Sequence, residues 1–171
     1  MGDKYGQIPK FLKPMPECIS KLNNLNSALI GTALDIYFNA RKECIPMYII
    51  WTRRTEAEQA LLYKFGRTIP PMGVLTTRQP GYSPHNYGLA IDWCFSKYGE
   101  LITYEMAAKR PKYKEWWMYI VKQFLNAGWE SGMYHREYRP GHVENLLGKS
   151  ILEHRTAAKE QKTYIEGFGF V

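Results

Sequence analysis

Apolar residues recur at helical spacing early in the chain. Ile19, Leu22, Leu25, Leu29, Ala33, Ile36, Tyr37 and Ala40 form one stripe, which predicts an amphipathic helix ending near Lys42. The residues before it, 1–16, are rich in Pro and Lys and read as an extended arm. Met47–Trp51 is a β-branched and aromatic run that predicts a strand. Thr52 or Thr55 can then cap a short helix over Glu56–Phe65, closed by Gly66. Arg67–Gly73, with its Pro70-Pro71 pair, reads as a stiff loop, and Val74–Thr77 as a short extended segment. From Gly88 the pattern alternates with period two: Gly88, Ala90 and Asp92 share one face, Leu89, Ile91 and Trp93 the other. Tyr98-Gly99 marks a turn. Pro111 starts a helix whose apolar face is Trp116, Trp117, Ile120, Val121, Phe124 and Leu125, ended by Ala127-Gly128. Trp129–His135 reads as extended, Arg139-Pro140-Gly141 as a turn, and His142–Glu144 as a short strand with His142 and Glu144 on one face. Leu146 to about Ile165 is a mixed-charge helix with a Gly/Phe tail. No repeat, linker or low-complexity block interrupts this order. The expectation is one α+β domain over 1–171, with helices on a small antiparallel sheet, an arm at 1–16, and a terminal helix and tail at 146–171.

A chain of 171 residues with 45% hydrophobic and 23% charged residues can bury a real core. The 15% aromatic content, with 13 Tyr and 5 Trp, suits a rigid groove for an elongated polar ligand. A formal charge of +7 favours anionic partners without choosing among nucleic acid, lipid headgroups and envelope polymers. No dense Lys/Arg run or nucleic-acid signature supports the first of these. Cys18, Cys44 and Cys94 are too widely spaced for a disulfide framework and read as buried free thiols. The N-terminal residues lack an apolar signal core, and no window is apolar enough to span a bilayer.

Chemistry converges on the central strand. The two small residues Gly88 and Ala90 leave room above the face that carries Asp92, and His85 sits just upstream in a loop punctuated by Gly81 and Pro84. An imidazole and a carboxylate facing an open space make up two of the three protein ligands of a catalytic zinc site. For the third, His142 starts a short strand that can lie beside Asp92. His135 is the reserve, and His154 reads as part of a solvated face. Hydrolysis also needs a base, and Glu137 and Glu144 flank His142. The pair His135-x-Glu137 lacks the Pro-Cys-x-x-Cys partner of the zinc deaminases, so that chemistry is set aside.

The spacing Ser83-x-His85-x-x-Gly88-x-Ala90-x-Asp92, followed much later by His142, resembles the zinc peptidases of the LAS superfamily. These are the L-alanyl-D-glutamate endopeptidases, phage endolysins among them, and the VanY-like D-Ala-D-Ala carboxypeptidases. The run Arg54–Thr68 looks like the endopeptidase branch, and the likeness extends over about residues 45–145. It implies a Hedgehog/DD-peptidase-like α+β fold, a Zn2+ ion held by His85, Asp92 and His142, an Arg54 that holds a substrate carboxylate, and a Ser83 that hydrogen-bonds substrate. One departure stands out. The family's catalytic acid lies three residues before the last histidine, where this chain has Arg139, which cannot act as a base. Glu137 is then the assigned base, with Glu144 or an inactive site as the alternatives.

The implied function is hydrolysis of peptidoglycan stem peptides at the L-Ala–D-Glu bond by a phage endolysin or virion-associated lysin. Such a lysin would be monomeric, made in the host cytoplasm without a signal peptide, and delivered to the wall by a holin or a tail. The rival expectations are a D-Ala-D-Ala carboxypeptidase on the same scaffold and a non-catalytic zinc-containing wall-binding module. No nucleic-acid partner is expected.

Overall fold

A computed structural model of the chain describes residues 14–70 and 73–167, with side chains through residue 161. Most of the arm expected at 1–16, the Pro71-Met72 part of the stiff loop and the Gly/Phe tail lie outside the described residues.

The architecture is α+β: a five-stranded antiparallel sheet flanked by helices. The long apolar stripe forms two helices, α1 (Pro16–Leu22) and α2 (Ser27–Lys42), instead of one. The break falls where Asn23, Asn24 and Asn26 cluster, because Asn26 caps α2 by accepting from the Ala28 amide at 3.1 Å. Leu25 stays buried in the connection, so the apolar rhythm continues through a turn. Strand β1 (Met47–Trp51) leads to α3 (Glu56–Lys64), which starts with a capping box in which Thr55 and Glu58 satisfy each other's amides. Phe65, expected inside this helix, is already extended and bridges to Ile69. Val74–Thr77 forms no strand.

The central strand β2 (Ala90–Lys97) pairs with β1 and, through β3 (Glu100–Ile102), forms a hairpin at Tyr98-Gly99. Beyond it lie α4 (Tyr104–Ala107), α5 (Pro111–Asn126), β4 (Glu130–Ser131), β5 (His142–Glu144) and α6 (Ile151–Gly167). The spatial order is β1-β2-β5-β4. The extended segment expected at Trp129–His135 is strand only at β4 and then coils into a 3₁₀ turn.

Leu89, Ile91 and Trp93 are buried as their alternation requires. Trp93 stacks against Trp117 of α5 with ring centroids 4.3 Å apart, and Phe95 meets the same ring edge-on at 5.1 Å. Trp117 also donates Nε1–H to the Pro140 carbonyl at 3.1 Å. The aromatic core thus holds the loop that delivers β5. Of the three thiols, Cys18 and Cys94 are buried, while Cys44 is exposed. It sits at φ 59° just past α2, where the chain reverses outside the core.

Gly88 is not part of the strand. It closes a 3₁₀ turn, Pro84–Tyr87, at φ 67°. A Cβ there would lie 2.8 Å from the Asn26 amide nitrogen, whose proton goes to the Gly88 carbonyl. Gly88→Ala should therefore destabilise the fold by about 1–3 kcal/mol or more, since strain and a backbone clash add. A lower urea midpoint with an unchanged slope would show this, and a midpoint equal to wild type would refute it.

Candidate metal centre

Backbone packing brings the candidate ligands together before any side chain is considered. In the β2–β5 register Asp92 lies opposite His142 and Ala90 opposite Glu144, so the small residue leaves room beside both acids. His85 arrives from the 3₁₀ turn, which is clamped onto the segment between β1 and α3. The Arg54 amide donates to the His85 carbonyl at 2.8 Å. Asn86 donates Nδ2–H to the carbonyls of Arg54 and Thr55, at 3.0 and 3.3 Å. Its Oδ1 accepts from the amides of Gly81 and Ser83. Buried Thr52 holds the other end: its hydroxyl donates to the Lys21 carbonyl at 2.6 Å, and its own carbonyl lies 2.5 Å from His85 Nδ1.

That last contact decides the chemistry. A carbonyl only accepts, so His85 carries a proton on Nδ1 and turns Nε2 inward. Nε2 is buried without a hydrogen-bond partner and lies 3.2 Å from Asp92 Oδ2. His142 is arranged the same way. Its Nε2 meets the Glu144 carboxylate at 2.8 Å, which fixes a proton there, and Nδ1 faces Asp92 Oδ1 at 2.8 Å. Burial opposes charge on the His142 ring, but its hydrogen bonds to Asp92 and Glu144 favour the protonated form. A cation bound at Asp92 would take the place of the protons that the carboxylate otherwise accepts from the two imidazoles. His85, Asp92 and His142 offer ligand atoms all within 4.8 Å of one another, and two imidazoles with one carboxylate suit a divalent metal with an open position. The outward hydrogen bonds to Thr52 and Glu144 are the supports that orient metal-binding histidines. The group can hold a metal ion.

The electrostatics agree. Burial disfavours the charged form of Asp92, but attraction to His85 and the hydrogen bond from His142 outweigh it and hold the carboxyl well below its ordinary range. Glu144 is likewise kept ionised: burial opposes this, and His142, His135 and Arg78 override it. Arg54 stands behind the cluster, with Nη2 3.6 Å from Asp92 Oδ2 and Nη1 donating to Gln59 at 2.8 Å. Buried Gln59 passes its own N–H groups to Thr76 and to the Arg78 carbonyl, tying α3 to the loop beside the site.

Two cavities open on the cluster. One of about 360 Å³ runs over Asp92 and His142 between Tyr104, Trp117 and Arg139. The other, about 390 Å³ and more polar, is lined by Ser83, His85, His142, Glu137 and Arg139 among others. Ser83 and Glu137 therefore share a cavity with the two metal-site histidines, whereas Arg54 is nearly buried and lines neither cavity. Glu137 is exposed, and both its oxygens lie 3.1 Å from the Thr77 hydroxyl. His135 lines the same polar cavity beside Glu130, 3.5 Å away, outside the group formed by His85, Asp92 and His142. His154 is half-buried instead of solvated, bonded to the Leu146 carbonyl at 2.9 Å. Sequence reasoning missed the supporting roles of Thr52, Asn86 and Glu144. Only Asn86 left a local signal, as an Asx-type turn former behind Ser83-Pro84.

Comparison with solved structures finds this fold in an L-Ala D-Glu endopeptidase of Serratia marcescens, ChiX. The TM-score is 0.50 at 16% sequence identity, over 75% of this chain and 86% of that one. At that identity the likeness is one of fold. No family model matches the chain.

Proposed function

We propose that this chain is a zinc-dependent peptidase that hydrolyses peptidoglycan stem peptides, at the bond between L-Ala and D-Glu. What carries the reading is the pair of imidazoles whose outer nitrogens are spent on Thr52 and Glu144 while their inner nitrogens meet at Asp92, within ligand distance of one another. The fold shared with an L-Ala D-Glu endopeptidase supports the substrate class.

His85, Asp92 and His142 hold the ion, and Arg54 and Glu144 keep Asp92 and His142 in place. A bound zinc ion polarises a carbonyl and acidifies water, which is the activation that amide hydrolysis requires. Glu137 accepts the proton of the attacking water and returns it to the departing amine. Ser83 donates to the stem from the cavity wall. Arg54, whose Nε is uncommitted, stands buried beside Asp92. The chain's +7 charge suits approach to an anionic envelope. The setting we propose is a phage endolysin or a virion-borne lysin that reaches the wall through a holin or a tail.

Purified sacculi incubated with zinc-loaded protein, beside a chelated control, provide the test. Mass spectrometry should show new L-Ala carboxyl and D-Glu amino ends in the zinc sample alone. Loss of terminal D-Ala only would make the protein a carboxypeptidase. Sacculi unchanged across several wall types, with zinc bound, would leave a wall-binding module.

A further inference from the structure

Arg139 lines both cavities above the metal cluster and a third beside them, and its side chain forms no ion pair or hydrogen bond among the described residues. It is half-buried, unlike Arg78 and Arg136, which share the polar cavity but are exposed. Its backbone is fixed. The Arg139 amide donates to the Gly132 carbonyl at 2.8 Å and its carbonyl accepts from the His142 amide at 3.0 Å. A Cβ on Gly132 would come within 2.5 Å of the Arg139 carbonyl oxygen, so glycine is what lets this loop close against the site. The nearby acids are already occupied: Glu105 accepts from Thr103 at 2.6 Å, and Glu137 from Thr77. Arg54 has its counter-charge in Asp92. Among the described residues, Arg139 is the half-buried cation of the cleft without an ion-pair or hydrogen-bond partner, whereas Arg78 and Arg136 are exposed to solvent.

Resting on the proposed stem-peptide activity, we infer that Arg139 grips the free α-carboxylate on the substrate residue whose amine is released. The chemistry of the stem supplies such a group. D-Glu continues the chain through its γ-carboxyl, so its α-carboxylate stays free on the carbon that bears the scissile nitrogen. A terminal D-Ala carries a carboxylate in the same relation. A guanidinium matches a carboxylate with two parallel N–H···O bonds. The residue that cannot be a base therefore reads the substrate.

The test compares L-Ala-γ-D-Glu-L-Lys with its α-carboxamide analogue, and a D-Ala-D-Ala peptide with its C-terminal amide. Binding is titrated to the full-length chain, zinc-loaded and chelated, and kcat/KM is measured on the zinc-loaded form. Wild type should prefer the acid by about tenfold to a hundredfold. Arg139→Gln should erase the preference while zinc content and melting temperature stay as in wild type, and Arg139→Lys should keep part of it. The peptide pair that shows the effect identifies which carboxylate is read. Equal binding of acid and amide by wild type, no binding of either, or a preference that survives Arg139→Gln would each overturn the inference. A preference that depends on Arg139, with no peptide cleaved, would uphold it and remove the peptidase reading instead.

Discussion

Asp92→Ala should abolish zinc binding and hydrolysis together. Elemental analysis of the wild type should find about one zinc per chain, as expected for a three-ligand site with an open position, and the variant should retain almost none. Turnover should fall on the order of 10³-fold or more, because the activation of both carbonyl and water is lost at once. The carboxylate is the shared partner of both imidazoles and of Arg54, so its removal also leaves a buried guanidinium without its counter-charge. Asp92→Asn keeps the shape and separates the two effects. It should fold and melt as a monophasic transition but gain no stability from added zinc, whereas the wild type should gain about 4 kcal/mol at a zinc concentration a thousandfold above its dissociation constant. His135→Ala is the control. His135 converges with Glu130 and Glu144 in a second, more exposed group, and this variant should keep its zinc. If zinc followed His135 and not Asp92, the ion would belong to that other group.

How much of this centre can be read from the sequence depends on whether the determinant is local. His85 and Asp92 are local: one turn and one strand carry both, and of the two small residues between them only Ala90 lies in the strand, opposite Glu144. His142 is readable as a candidate because a Gly turn and a short strand bring it in. Its pairing opposite Asp92 is a matter of register, which the β2–β5 contact and the Trp117 bond to Pro140 impose from far along the chain. The helix broken at Asn23–Asn26 shows the converse. Apolar period reports which residues face the core, and Leu25 faces it from a turn as well as from a helix. Gly88 misleads for a related reason, since alternation cannot distinguish a strand residue from a left-handed turn residue preceding one. The roles of Thr52, Asn86, Gln59 and Glu144 lie in which carbonyl or nitrogen each one meets, and no spacing rule contains that.

Glu144 illustrates the point in the choice of base, where the second large effect is expected. Two carboxylates border the site. Glu144 is half-buried and committed to His142 Nε2 at 2.8 Å, and the bond that fixes the imidazole would be lost each time it took up a proton. Glu137 is exposed and held by one threonine hydroxyl shared between its two oxygens, so it can turn toward substrate in the cavity it shares with His85 and His142. Glu137→Gln should lower kcat by about 10²- to 10⁴-fold with zinc content and melting temperature unchanged. Glu144→Gln keeps an acceptor for His142 but loses the charge. It should weaken zinc binding by about 10- to 100-fold and recover most of its turnover when zinc is saturating. The two variants separate a proton carrier from a positioning residue, because added zinc repairs only the second. A Glu144→Gln enzyme that stays inactive with its zinc in place, beside an active Glu137→Gln enzyme, would pass the base to Glu144 and leave Glu137 as a rim residue.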